Sequence, residues 1–169
     1  MNIRIALILM SAGFVIVLGS TGCGTARQEA RYSPHVTVTP SSGEGSAREF
    51  LVTISPAIDL KMAGLLINST PDGSKACYTL IDVKQSKFFL VKDPGSGSVP
   101  FMLDSSGENS QCSVRVLSVR RDIERNLYQF RVAAQFKPVF AGGQSLFVLA
   151  TNTAGRNWLQ QAGSWMVAL

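Results

Sequence analysis

Histidine, cysteine and charged residues are scarce in this chain of 169 residues, and each shortage excludes a class of protein. The one histidine, His35, cannot build a histidine-rich metal site, and it leaves a Ser-His-Asp catalytic arrangement without a well-placed base. Three cysteines are too few for a disulfide-dense miniprotein. Charged residues make up only 16% of the chain while apolar residues make up 46%, which excludes a disordered acidic or basic tail. The length and composition therefore predict one packed core.

The net charge of +5 is spread too thinly to indicate a nucleic-acid-binding protein. Its densest basic stretch, residues 115–125, is interrupted by Asp122 and Glu124. The charges of this stretch are therefore expected to lie on the solvated surface of a hairpin and not to bind the phosphates of a nucleic acid. Weak attraction to anionic lipid or to surface polysaccharide is the better use of this charge.

The amino terminus has the pattern of an export signal. Arg4 is followed by an uncharged apolar run over residues 5–18, which is shorter than the about 20 residues of a membrane-spanning helix and fits a signal-peptide core. Small residues then lead to Cys23, and this stretch resembles the lipobox of bacterial lipoproteins, although Ser20 stands where a leucine is common. The resemblance implies removal of residues 1–22 and attachment of acyl chains such as palmitate to Cys23.

An anchored chain of this kind lies on the outside of a cell membrane. Gly24 replaces the aspartate that retains some lipoproteins in the inner membrane, so the resemblance favours the outer membrane, on its periplasmic or surface face. The alternative is an ordinary signal peptide cut a few residues later, for instance after Ala26, with release of the chain.

The cysteine count fits export. If Cys23 is acylated, the remaining pair of Cys77 and Cys112 is even, as expected of a protein in an oxidising compartment. A bridge between them would stabilise the fold by roughly 3.8 kcal/mol in the chain-entropy model. Two buried free thiols are the alternative. A redox-active pair is disfavoured because no Cys-x-x-Cys spacing is present.

The rest of the chain divides into a tether and a β-domain. Residues 23–49 are rich in Gly, Ser and Pro and predict a flexible tether, in which residues 35–39 alternate and can form a first edge strand. His35 lies there and is expected to be a solvated bystander. From residue 50 to 169, short apolar runs separated by turn signals predict an all-β antiparallel sandwich of about seven to nine strands. The predicted strands are 50–55, 64–68, 77–83, 87–91, 101–103, 112–119, 127–136, 145–152 and 164–168.

Two of these predicted strands also indicate which of their faces are buried. Residues 127–136 alternate strictly between apolar and polar side chains, which indicates one buried and one solvated face. Residues 146–150 have no polar alternation, so they predict a central strand covered on both sides, or else a strand whose outer face meets a partner. Residues 59–63 and 155–161 could each form one helical turn.

Several fragments of the chain resemble an immunoglobulin-like module that recurs in exported proteins of soil bacteria. They include Ala76-Cys77-Tyr78, Gln111-Cys112, the stretch 136–142 and the stretch 158–165. The resemblance spans about residues 38 to 168 and implies an immunoglobulin-like or fibronectin-III-like sandwich with a bridge between Cys77 and Cys112, but no activity. Both tryptophans lie beyond the second cysteine, unlike in antibody domains, so the bridge is not expected to be the usual inter-sheet pin.

The sequence contains residues for three kinds of site. Carboxylate pairs could serve a hydrolase, but most acidic residues stand beside turn residues and are expected to cap backbone groups. Residues 104–109 gather oxygen ligands, yet they lack the calcium-loop spacing, so a solvated turn is expected. Trp158 and Trp165 are candidate ligand-binding residues that could stack on a glycan, with core packing the default for Trp165.

The resulting hypothesis is a lipid-anchored cell-envelope protein with a non-enzymatic binding or structural module. Its expected partners are the membrane, through the lipid anchor, and an envelope protein or polysaccharide, with no nucleic acid. No catalytic residue, metal or cofactor is predicted. The alternative function is envelope carbohydrate binding through exposed aromatics, and a carboxylate-based hydrolase is the third.

Overall fold

The computed structural model describes residues 33–57, 59–93 and 97–168. The predicted signal peptide and Cys23 lie outside the described residues. Eleven strands and one short 3-10 helix, Pro138–Phe140, make up the described part of the chain. In chain order the strands are β1 His35–Thr39, β2 Ala47–Ser55, β3 Leu60–Asn68, β4 Cys77–Asp82, β5 Lys87–Val91, β6 Ser98–Phe101, β7 Ser106–Glu108, β8 Cys112–Asp122, β9 Leu127–Phe136, β10 Gly142–Asn152 and β11 Asn157–Val167.

The strands form two antiparallel sheets packed face to face. Sheet A has the order β1-β2-β9-β8-β7, and sheet B has the order β11-β10-β3-β4-β5-β6. The first four strands of sheet A and the first five of sheet B follow the strand order of a variable-type immunoglobulin domain, and β7 and β6 each add one strand at an edge. The predicted all-β, immunoglobulin-like sandwich is therefore confirmed.

The core lies between the sheets and follows the alternation of the sequence. Strand β9 has the predicted bounds, and its side chains at Tyr128, Phe130 and Val132 are buried while Arg131 is exposed. Strand β10 lies between β3 and β11, as a central strand should. Its inner face enters the main core, and Phe147 on its outer face packs with Leu66 in a small second cluster. The predicted central position is confirmed, whereas the outer face of the strand is covered only in part, since Leu149 on that face is half-buried.

Both predicted helical turns are wrong. Residues 59–63 form a turn at Asp59 followed by β3, and residues 155–161 run into β11. Neither segment was long enough to form a helix by itself, and pairing with a neighbouring strand satisfies their backbone groups. Strand β7 was missed because residues 105–107 have turn chemistry. A Cβ atom at Gly107 would come within 3.0 Å of the Phe101 ring, so glycine allows β7 to pack closely there.

Residues 35–49 belong to the sandwich, so the β-domain begins before residue 50. Strand β1 has the bounds predicted for a first edge strand, lies at the edge of sheet A and pairs with β2 over its whole length. The connection that follows lies along β11: the Ser164 amide donates to the Ser41 carbonyl at 2.9 Å, and the Gly45 amide donates to the Met166 carbonyl at 3.0 Å. The glycine-rich composition of this connection predicts flexibility. In the fold its glycines permit positive φ angles, as at Gly45, where φ is 136°.

Cys77 and Cys112 form a disulfide bridge with a Cα–Cα distance of 5.7 Å. Cys77 begins β4 in sheet B and Cys112 begins β8 in sheet A, so the bridge does join the two sheets. It connects a different pair of strands from the antibody bridge, which is why the cysteine spacing differed. A disulfide of this kind fits an exported domain.

Candidate functional site

Trp165, one of the two predicted ligand-binding residues, is part of the core. Its side chain is only 4% exposed, and its indole N–H donates to the Gly45 carbonyl at 2.9 Å. The ring meets Phe50 edge-on with 5.4 Å between centroids, and the Arg48 guanidinium lies 5.9 Å from its centre. The physical role of Trp165 is to hold the connection between β1 and β2 against β11, and a ring so buried offers no stacking surface.

Trp158 lies on the same strand but does not share a site with Trp165. It is half-buried and pairs with Ala150 of β10. Seven residues of extended chain separate the two tryptophans, which corresponds to about 23 Å. A glycan platform at Trp158 stays a prediction.

Three aspartates, Asp72, Asp82 and Asp122, cap turns, as the sequence suggested. The Asp72 carboxylate accepts a hydrogen bond from the Ser74 amide at 2.8 Å, and that of Asp82 accepts one from the Gln85 amide at 2.8 Å. The pKa of Asp72 is lowered, first by a hydrogen bond from the Thr70 hydroxyl and then by the Ser74 amide. Within residues 33–57, 59–93 and 97–168, no group of three or more His, Cys, Asp or Glu side chains could hold a metal ion.

The oxygen-rich stretch 104–109 contains β7 and is not a simple solvated turn. Asn109 organises it: its amide group donates to the Ala76 and Val91 carbonyls at 2.9 Å, and its Oδ1 accepts from the Gln111 and Cys112 amides. These bonds tie β7 and β8 to the end of sheet B beside the disulfide. The polar groups of Asn109 are thus engaged in holding the fold.

The outer face of sheet A carries an open cleft of about 930 Å³, here called the sheet A cleft. Cross-strand register places its residues: Glu49 of β2, Ala133 of β9, Arg115 of β8 and Ser106 of β7 form one row across four strands. The full lining comprises Thr39, Pro40, Ala47, Arg48, Glu49, Leu51, Ser106, Ser113, Val114, Arg115, Arg131, Ala133, Ala134 and Gln135.

The depression arises from side-chain size. Ala133 stands at the middle of the central strand, with Ala47 and Ser113 close by, while longer side chains such as Gln135 and Arg131 stand around them. Side chains on one face of a sheet project roughly perpendicular to it, so short residues ringed by long ones leave a hollow. The floor of the sheet A cleft therefore consists of small side chains, and its rim is polar and basic.

Two arginines of the rim are only loosely held by carboxylates. The Arg131 guanidinium lies 3.7 Å from the Glu49 carboxylate, and that of Arg115 lies 3.8 Å from Asp104. These distances exceed a hydrogen bond, and the four side chains are between 49% and 73% exposed. Exposed pairs of this kind contribute about 0 to 1 kcal/mol, so either arginine can exchange its partner for an anionic ligand at little cost.

Sequence reasoning did not find this cleft. It did identify the wet face of residues 127–136, which supplies Arg131 and Gln135. The missing information was the pairing of β9 with β2 and β8, which brings Glu49 and Arg115 beside Ala133. An alanine between long polar side chains on an outward strand face is the only local signal.

Comparison with known proteins shows no family for this chain. No protein-family model and no curated protein matches the chain. A solved structure described as that of murine CRIg is similar with a TM-score of 0.39 and 9% sequence identity, over 82% of this chain and 100% of that one. Among the described residues, no helix is both long and apolar enough to cross a membrane.

Proposed function

We propose that this protein is a lipid-anchored, non-enzymatic binding module of the cell envelope, and that the sheet A cleft is its partner-binding surface. The anchor is supported by the apolar run of residues 5–18 and the small residues before Cys23. Export is supported by the bridge between Cys77 and Cys112. The outer membrane is the proposed location because Gly24 follows the anchor cysteine.

A single observation carries the proposed binding role: the sheet A cleft presents Arg115 and Arg131 over a floor of small side chains, with each guanidinium weakly paired. A guanidinium binds carboxylates in a planar, two-pronged geometry, so the cleft suits a partner that presents carboxylates. The 3.7 Å and 3.8 Å ion pairs are weak enough for such a partner to replace Glu49 and Asp104. The expected partner is an envelope protein with acidic side chains.

Carbohydrate binding by exposed aromatics has less support. The lining of the sheet A cleft includes no aromatic residue, and Trp165 is buried in the core. A catalytic role for a carboxylate pair also has less support, because three of the candidate aspartates, Asp72, Asp82 and Asp122, cap turns.

The proposal is tested by photo-crosslinking in the bacterial envelope. A photoreactive amino acid replaces Gln135 at the rim of the sheet A cleft, and in a matched chain it replaces Gln160, an exposed glutamine of β11. The expected result is a discrete adduct with an envelope protein from position 135 and none from position 160.

Charge variants then show whether the arginines hold the partner. Changing Arg115 and Arg131 to Gln together is expected to reduce the adduct about tenfold or more, because charge-assisted hydrogen bonds are lost. The matched control changes Arg120 and Arg125, which pair with Asp122 outside the cleft, and leaves the adduct unchanged. Equal adducts from positions 135 and 160, or an adduct insensitive to the cleft arginines, would refute the proposal. An adduct with polysaccharide would favour carbohydrate binding instead.

A further inference from the structure

A second cleft of about 670 Å³ opens between the two sheets, here called the inter-sheet cleft. It lies where the turn between β4 and β5, the connection between β6 and β7, and the strand ends of β8 and β9 meet. Its volume is within the range of roughly 300 to 1,000 Å³ that small-molecule sites occupy. Its inner lining includes Phe88, Phe101, Val119 and Tyr128, and its two charged lining residues are Lys87 and Arg121.

The inner part of the inter-sheet cleft is apolar because it is an opening into the core. Phe88 and Tyr128 are core residues, and Phe101 and Val119 pack against the same core. The mouth is also apolar on one side, where Met102 is 79% exposed and Leu103 is 50% exposed. Two large apolar side chains exposed beside an apolar opening form a surface that favours a ligand with an apolar body.

One polar group inside this cleft has no partner. Tyr128 is only 2% exposed as a whole residue, but its hydroxyl is not among the buried unpartnered atoms, so it opens into the cleft, where it forms no hydrogen bond with any residue that the structure describes. A tyrosine hydroxyl that opens into a cleft without a protein partner can donate to a ligand there. Burial is the largest cause that raises the pKa of Tyr128, ahead of the nearby Asp82 carboxylate, so the hydroxyl stays protonated and able to donate.

The charged side chains that line the inter-sheet cleft are both basic. Lys87 stands on the side of β5, and Arg121 stands opposite Tyr128 in the pairing of β8 with β9. Neither forms an ion pair with a residue in the described part of the chain. The Asp82 carboxylate, which faces Tyr128 from sheet B, is already occupied in accepting the Gln85 amide.

We propose that the inter-sheet cleft binds a single-chain anionic amphiphile: the acyl chain lies between Phe88, Phe101 and Val119, and its carboxylate or phosphate is held at the mouth. The Tyr128 hydroxyl donates to an anionic oxygen, and Arg121 and Lys87 supply the positive charge. This site is separate from the sheet A cleft and uses none of its residues.

The probe for the test is a twelve-carbon fatty acid that carries a diazirine at the end of its chain. The full chain is processed in a bacterial host and reconstituted in lipid nanodiscs, so that no detergent competes. At low probe concentration the labelled fraction is proportional to affinity. The expected result is labelling confined to the peptides that contain Phe88, Phe101 or Val119. A probe with the same chain and a trimethylammonium head group is expected to label these peptides at background level.

Variants with matched controls identify the contacts. Changing Arg121→Gln is expected to lower labelling about tenfold, since a charge-assisted hydrogen bond is lost, whereas Arg120→Gln on the outer face of the same strand leaves it unchanged. Changing Tyr128→Phe keeps the ring and is expected to lower labelling about fivefold. The control Tyr78→Phe removes the hydroxyl of the other tyrosine with a raised pKa and leaves labelling unchanged.

The proposal is overturned if labelling is spread over the whole surface, if the cationic probe labels the cleft as well as the fatty acid does, or if neither Arg121→Gln nor Tyr128→Phe lowers labelling. Urea midpoints equal to that of the parent chain show that each variant is folded. These outcomes are independent of the adducts formed at Gln135, so the two proposed sites are tested separately.

Discussion

Removing the disulfide should cost a large part of the stability of this domain. Cys77 and Cys112 are separated by 35 positions, so the loop that their bridge closes in the unfolded chain corresponds to about 4 kcal/mol in the chain-entropy model. Small domains have about 5 to 15 kcal/mol in total. With a urea slope of about 2 kcal/mol per M, changing both cysteines to Ala is expected to lower the unfolding midpoint by about 2 M.

The measurement is urea unfolding followed by tryptophan fluorescence, since Trp165 is buried in the folded state. The same loss is expected when the parent chain is treated with a reductant, and the double variant should be insensitive to that treatment. Alanine is the suitable replacement because both positions are buried, and serine would place hydroxyls in the core. Equal midpoints for the parent chain, the reduced chain and the double variant would refute the reasoning.

Three further predictions concern the packing around β11 and the tyrosines. Gly163→Ala places a Cβ 2.0 Å from the Ser41 carbonyl oxygen, so it should detach that backbone and cost about 2 kcal/mol or more, measured as a fall in melting temperature. Trp165→Phe loses the hydrogen bond to Gly45 and part of the ring contact, and we expect a loss of about 1 to 3 kcal/mol in urea unfolding. Burial raises the pKa of Tyr78 to about 12, above its usual value of 10.0, so the unfolded chain releases this proton first. The contribution of Tyr78 to stability should therefore be constant below pH 10 and fall by up to about 2 to 3 kcal/mol between pH 10 and 12, and Tyr78→Phe should remove this part of the fall.

Much of the fold could be predicted because the local pattern of apolar and polar residues agrees with the way the strands pair and pack. Strands β5 and β9 have the predicted bounds, and the alternation in β9 decides which side chains are buried. The predictions failed where glycine, serine and proline had a structural role. Gly43, Gly45 and Gly163 allow the connection between β1 and β2 to lie against β11, and no local pattern distinguishes this close packing from a flexible tether.

The candidate sites depend on register, and this is why the sequence did not reveal them. The sheet A cleft exists because Ala133 is paired with Glu49 on one side and Arg115 on the other, from segments far apart in the chain. The inter-sheet cleft likewise brings Lys87 of one sheet towards Arg121 of the other. For Trp165 the sequence suggested a site that the structure does not have. Tryptophan is typical of binding surfaces, but this one is buried in the core.

The intact mass of the chain extracted from bacterial membranes, with and without reduction and alkylation, tests the central claim most directly. A lipid-anchored module predicts the mass of a chain that begins at Cys23 and carries acyl groups, with two alkylations that appear only after reduction. An unacylated chain cut at another position, recovered outside the membrane fraction, would contradict the anchor and with it the proposed place in the envelope. Alkylation of Cys77 and Cys112 without reduction would contradict the bridge.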